Sequence, residues 1–92
     1  MNQEEADFLR EAGNLLKDRY QVTVHEVMLG RMFEGQTELY TDEGWYVLFD
    51  NRTNKKQALE NVALVLSQQI TDRSSLEYID ARIEGKVFYK ER

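Results

Sequence analysis

Residues 41–50 read TDEGWYVLFD, and the fold depends on where that run is placed. Asp42-Glu43-Gly44 has the composition of a tight turn. Trp45 to Asp50 has that of a strand, but without the apolar–polar alternation of a strand that faces water on one side. Tyr46 and Leu48 share one face, and Trp45, Val47 and Phe49 the other. A strand apolar on both faces needs cover on both, which places it inside a sheet and not at the rim. QTELYT, residues 36–41, supplies a partner strand just before the turn.

Working outward, residues 51–54 break the pattern, and Asn54 with Gln57 opens a helix as a capping-box variant. Leu59, Val62, Ala63, Leu66 and Ile70 then share one helical face. An earlier helix is expected over residues 2–18. Phe8, Leu9, Ala12, Leu15 and Leu16 form its stripe, and Asn2 with Glu5 its cap. From residue 19 the period changes to two, with Tyr20, Val22 and Val24 in alternation, as in a half-buried strand. Beyond His25-Glu26 the apolar set slips by one to Val27 and Leu29, which signals a β-bulge or the end of the strand. Residues 30–35 and 71–75 are expected as loops. Residues 76–83 and 86–90 make a final hairpin about Glu84-Gly85. The order is α-β-β-β-α-β-β in one 92-residue domain. The economical architecture is α+β, a mainly antiparallel sheet with two helices packed on one face.

Composition narrows the function classes. A net charge of −5, with Lys55-Lys56 the only adjacent basic pair, argues against nucleic acid, whose phosphates call for clustered cations. The chain has no cysteine, which excludes disulfides, thiolate catalysis and zinc–cysteine sites. No run approaches the ~20 apolar residues that span a bilayer. MNQEEADF is acidic where a signal peptide is basic, so neither a leader nor membrane contact by this chain is expected.

Each chemical candidate meets a plainer explanation. His25 and Glu26 are adjacent on a strand, so they point to opposite faces and do not pair as acid and base. Asp42-Glu43 before Gly44 lacks the further oxygens of a calcium loop. Asn51-Arg52-Thr53 matches a glycosylation tripeptide common by chance. Asp72-Arg73-Ser74-Ser75 has hydroxyls without a nearby histidine to activate them. No catalytic residue, metal-ligand set or cofactor site is expected.

YIDARIEGKVFYK, residues 78–90, leaves two readings open, a docking surface and plain cross-strand packing with an intramolecular Asp80–Arg82 pair. Across a two-residue Glu84-Gly85 turn, Arg82 faces Val87, Ala81 faces Phe88 and Asp80 faces Tyr89. Phe88 then enters the core, while Val87 and Tyr89 stand on the outer face with Tyr78, Asp80 and Arg82. Tyrosine and arginine are enriched at interfaces, and a last strand offers an edge.

Taken in order, TDEGWYVLFD, the helix ending LSQQI and LEYIDARIEGKVFYK resemble the C-terminal β-domain of the bacterial cell-division family FtsQ/DivIB. Its marks are a strand of the form glycine-aromatic-x-apolar-x-apolar, a helix of K-x-x-x-L-x-x-apolar spacing and an I-D-L-R strand. Here they appear as Gly44-Trp45 to Phe49, residues 57–70 and Ile79-Asp80-Ala81-Arg82, with Ala81 where the family commonly carries leucine. The resemblance is best over residues 41–90. The family's membrane anchor and POTRA domain fall outside the chain. The resemblance implies a non-enzymatic divisome scaffold that binds FtsB/FtsL-like proteins and helps control septal wall synthesis. It also implies a place on the extracytoplasmic side of the cell membrane. Its partner-binding set is Lys86, Val87, Phe88, Tyr89 and Lys90 as the edge that receives a partner strand, with Tyr78, Asp80 and Arg82 beside it. The alternative occupant of that edge is a second copy of the chain, in a stand-alone interaction or dimerisation module.

Overall fold

Both α-helices of the described residues start at an asparagine. The computed structural model describes residues 2–30 and 35–92. Asn2 Oδ1 accepts the Glu5 amide at 2.8 Å, and Asn54 Oδ1 accepts that of Gln57 at 3.2 Å. Behind these caps run α1 (Gln3–Tyr20) and α2 (Lys55–Gln68). α1 buries Phe8, Ala12 and Leu16; α2 buries Leu59, Val62, Ala63, Val65 and Leu66.

α1 runs two residues further than its sequence pattern suggests. Tyr20, expected on a strand, ends the helix, and its hydroxyl bonds the Ala63 carbonyl at 3.0 Å and Ser67 Oγ at 2.6 Å on α2. Gln21 turns left-handed at φ 58°, its amide bonding the Lys17 carbonyl and that of Val22 the Leu16 carbonyl. Val22 is thereby turned into the core and fully buried. The alternation of Tyr20, Val22 and Val24 comes from a helix end and a reversal that place apolar residues at strand-like spacing.

Five strands follow among the described residues: β1 (Val24–Leu29), β2 (Gln36–Thr41), β3 (Tyr46–Asp50), β4 (Leu76–Ala81) and β5 (Phe88–Glu91). They lie in that spatial order, with every neighbour antiparallel except β3 and β4, which are parallel and joined through α2. The expected α+β architecture is therefore the observed one. β3 is central, as its two apolar faces require. The slip at His25 is a bulge, since Val24 pairs with Thr41 and Glu26 with Tyr40, leaving His25 as the extra residue. The loop expected over residues 30–35 falls largely outside the described residues.

The core lies between the helices and one face of the sheet. Leu39, Val47, Phe49, Ile79 and Ala81 face Phe8, Leu16, Leu59, Val62 and Leu66. Phe8 meets Phe49 edge-on with ring centroids 5.0 Å apart, a geometry that adds about 0.5–1.5 kcal/mol to burial. Trp45 is wholly buried, its indole N–H donating to Glu43 Oε1 at 2.8 Å. Glu43 in turn holds Arg73 at 2.8 Å, and Arg73 stacks over the Tyr20 ring. The turn between β2 and β3, the end of α1 and the loop before β4 thus meet at one polar corner.

Gln21 carries a side chain in a backbone region where L-residues are strained. Gln21→Gly is expected to stabilise the domain by about 0.5 kcal/mol, raising its thermal midpoint by roughly 3 °C, as measured by circular dichroism.

Candidate functional site

The face of the sheet away from the helices is organised in rows. Pairing aligns Glu26, Tyr40, Tyr46, Tyr78 and Lys90 across the five strands. The three tyrosine rings lean on one another at 5.0 and 5.6 Å. The next row is Met28, Glu38, Leu48, Asp80 and Phe88. The Tyr40 hydroxyl donates to Glu38 Oε1 at 2.5 Å, which joins the rows. Burial, together with the Glu77 and Glu38 carboxylates and Tyr78, raises the Tyr46 hydroxyl above its ordinary range. Packing within the sheet itself therefore covers Leu48, the second apolar face of β3.

Both parallel strands end in the same way. Asp50 Oδ1 accepts the Arg52 amide at 2.9 Å, and Asp80 Oδ1 accepts that of Arg82 at 3.1 Å. Each arginine also folds back in a two-point bond to its own aspartate, at 3.0 and 2.8 Å for Arg52 and at 2.9 and 2.7 Å for Arg82. Arg82 further donates to Gln36 Oε1 at 3.2 Å on β2. An aspartate that captures the amide two residues on takes it out of the ladder, so each Asp-x-Arg stops its strand.

That stop overturns the expected hairpin register. With the Arg82 amide committed to Asp80, β4 ends at Ala81 and the connection widens to residues 82–87, closed by the Lys86 amide on the Ile83 carbonyl at 3.1 Å. Asp80 pairs with Phe88, Ile79 with Tyr89 and Tyr78 with Lys90, one residue out of the expected phase. A slip of one exchanges the faces. Phe88, expected in the core beside Ala81, stands on the outer face at 52% exposure. Tyr89, expected on the outer face, points to the helix side, where it is 37% exposed. Val87, also expected outside, packs against the core, and Ile83 is exposed in the turn.

Tyr78, Asp80, Phe88 and Lys90 are brought together on the outer face, whereas Val87 and Tyr89 turn to the helix side. Tyr78 and Asp80 lie on β4 beside Lys90 and Phe88 of β5, Arg82 follows the end of β4 with its guanidinium folded back on Asp80, and Lys86 is exposed in the turn. Among the described residues β5 forms an edge of the sheet, and all four of its residues are exposed. The Arg92 amide bonds the Ser75 carbonyl at 2.6 Å. Since backbone groups alternate in direction along a strand, Phe88 and Lys90 also turn theirs toward β4, and Tyr89 and Glu91 turn theirs to the open edge. β1, the opposite edge, is interrupted by the His25 bulge, a feature that hinders pairing.

The other candidates are placed apart. His25 and Glu26 are exposed on β1, with β2 and β3 between them and Asp80 on β4, a separation of roughly 14 Å at strand spacing. Asp42 Oδ1 accepts the Thr23 amide and Glu43 holds Arg73 and Trp45, so both turn carboxylates have structural partners. Asp72 caps the short 3-10 turn Arg73–Ser75 through Ser74. Asn51, of the glycosylation tripeptide, accepts the Thr37 hydroxyl at 3.3 Å. No group of His, Asp or Glu suited to a metal ion occurs among the described residues. A cleft of about 570 Å3 opens between the starts of the helices, near Asn2, Phe8, Asn54 and Lys55, away from the hairpin. No helix of the described residues is long and apolar enough to cross a membrane. The Gln36 contact and the tyrosine row escape sequence reasoning because both span strands. The repeated Asp-x-Arg was a visible signal.

The carboxylates of these pairs are shifted in one direction. Burial works against ionised Asp80, but the hydrogen bonds and charge of Arg82 overcome it and hold its pKa below the ordinary value. Arg52 lowers Asp50 by hydrogen bonding, and Arg73 lowers Glu43 chiefly in the same way. Groups depressed on folding contribute stability that is complete above their unfolded pKa, about 4, and lost as pH falls through the folded values below it. The thermal midpoint is accordingly expected to stay level from about pH 7 to pH 5 and to fall below about pH 4. Asp80→Asn should flatten that fall and cost about 1 kcal/mol at neutral pH, because the pair is partly open to solvent. Asp80→Ala, which also frees the Arg82 amide, should in addition alter the β4–β5 register, seen as changed cross-strand nuclear Overhauser contacts. No protein-family model and no curated protein matches the chain.

Proposed function

We propose that this domain is a non-enzymatic protein-interaction module that receives an extended partner segment along β5. The observation that carries the reading is the state of that strand. It stands at an edge among the described residues, with backbone groups of Tyr89 and Glu91 turned outward and exposed aromatic rings on both faces. Strand addition supplies affinity through main-chain bonds and specificity through the flanking side chains. Phe88, with Tyr78, Asp80 and Arg82 behind it, would read one face of the partner, and Tyr89 the other. Lys86 and Lys90 guard the edge against indiscriminate pairing.

The resemblance to the FtsQ/DivIB β-domain nominates the partner as an FtsB/FtsL-like division protein, and the setting as the extracytoplasmic side of a bacterial membrane during septum formation. The competing occupant is a second copy of the chain. Symmetric pairing centred on Lys90 sets two lysines opposite each other, an unfavourable cross-strand contact.

An NMR titration with the extracytoplasmic segment of the FtsB-like protein of the same genome tests the reading. Shifts are expected at residues 86–91 and at Tyr78, Asp80 and Arg82. Tyr89→Pro, which removes an outward amide, should abolish them while leaving the thermal midpoint within about 5 °C. Lys90→Pro breaks the ladder to β4 and should cost about 2 kcal/mol. Binding that survives Tyr89→Pro would refute strand addition. A mass that doubles with concentration, with shifts on β5 and none caused by the segment, would assign the edge to self-pairing.

A further inference from the structure

β5 is an improbable strand to stay in place unaided. It has four residues, all exposed, and one neighbour among the described residues. Its near end is held by Val87, which packs against the core. Its far end is held by Arg92. The backbone amide of Arg92 bonds the Ser75 carbonyl at 2.6 Å, Nε bonds the carbonyl of fully buried Leu76 at 3.2 Å, and Nη2 bonds the Glu43 carbonyl at 3.5 Å. The guanidinium rests over Gly44. A Cβ there would lie 2.5 Å from Nη2, too close for any real contact.

We infer that Arg92 is a positioning residue for the open edge, a latch that fastens the end of β5 to the β2–β3 turn through the space left by Gly44. Two separate features of Gly44 serve this corner. Its φ of +94° closes the turn, and its missing side chain makes room for the guanidinium. Glu43, whose carbonyl receives the latch, is itself fixed by Arg73 and Trp45. The latch therefore ties the most exposed strand to a rigid corner of the domain. How β5 is held is independent of what binds it. Only the consequence for affinity rests on the strand-addition reading, since an edge already in place binds without a further ordering cost.

A double-mutant cycle read by amide hydrogen exchange separates the two roles of Gly44. Arg92→Ala should speed exchange of the Phe88 and Lys90 amides about fivefold or more, the scale of one lost hydrogen bond, while the β2 and β3 amides change less than twofold. Gly44→Ala adds backbone strain that all amides report, plus a local excess on β5 from the displaced arginine. In the Arg92→Ala background that excess should vanish. Arg92→Lys, which keeps the charge but not both carbonyl bonds, should fall between. Unchanged exchange on β5 in Arg92→Ala, or a Gly44→Ala excess that persists in full without the arginine, would overturn the latch. Should Gly44→Ala unfold the domain, the Arg92→Ala and Arg92→Lys comparison alone decides. A latch that passes while the division-protein segment fails to bind would leave the positioning role standing and remove the partner.

Discussion

Everything in this domain is arranged around the need to cover β3 twice. Val47 and Phe49 require an apolar layer on one side, and α1 and α2 supply it, with Phe8 edge-on to Phe49 at its centre. Tyr46 and Leu48 require shelter on the other side, where there is no helix among the described residues. The sheet provides it from its own rows, through Tyr40 and Tyr78 on either side of Tyr46 and Glu38 and Asp80 beside Leu48. A strand so placed must have neighbours on both edges. The parallel return through α2 to β4 supplies the second one without opening the helical layer.

The charged side chains act on this scheme as punctuation. Asp50 and Asp80 end the two parallel strands by taking amides that would otherwise extend the ladder, and their arginines hold the carboxylates in place. As ion pairs at the surface they are weak. As stops they set which residues of the last hairpin face which way, so a modest interaction determines the chemistry that the edge displays.

The helices, the central place of WYVLF, the bulge at His25 and the order of elements were legible because each rests on local periodicity or local caps. Failures came where local and tertiary signals share a spacing. Tyr20 fits both a strand and a helix end, and the contact of its hydroxyl with α2 decides between them. Phe88 and Tyr89 looked assignable from a two-residue turn, but the Arg82 amide was already committed to Asp80. The facing of Val87, Phe88 and Tyr89 was not legible, because it depends on where β4 stops. Gln36, Arg92 and the tyrosine row depend on which strands adjoin, information carried by no single stretch.

The parallel pairing of β3 with β4 has a consequence for the order of assembly. β1, β2 and β3 are joined by short connections and zip together locally. Bringing Tyr78 to Tyr46 instead closes a loop of more than two dozen residues, for which α2 must first dock. Until α2 docks, the free side of β3, with its tyrosine and leucine, has no partner strand. A chain in which the meander has paired and β4 has not would therefore carry a stickier edge than the finished one. Docking of α2, well capped and richly apolar, brings β4 to that edge and closes it.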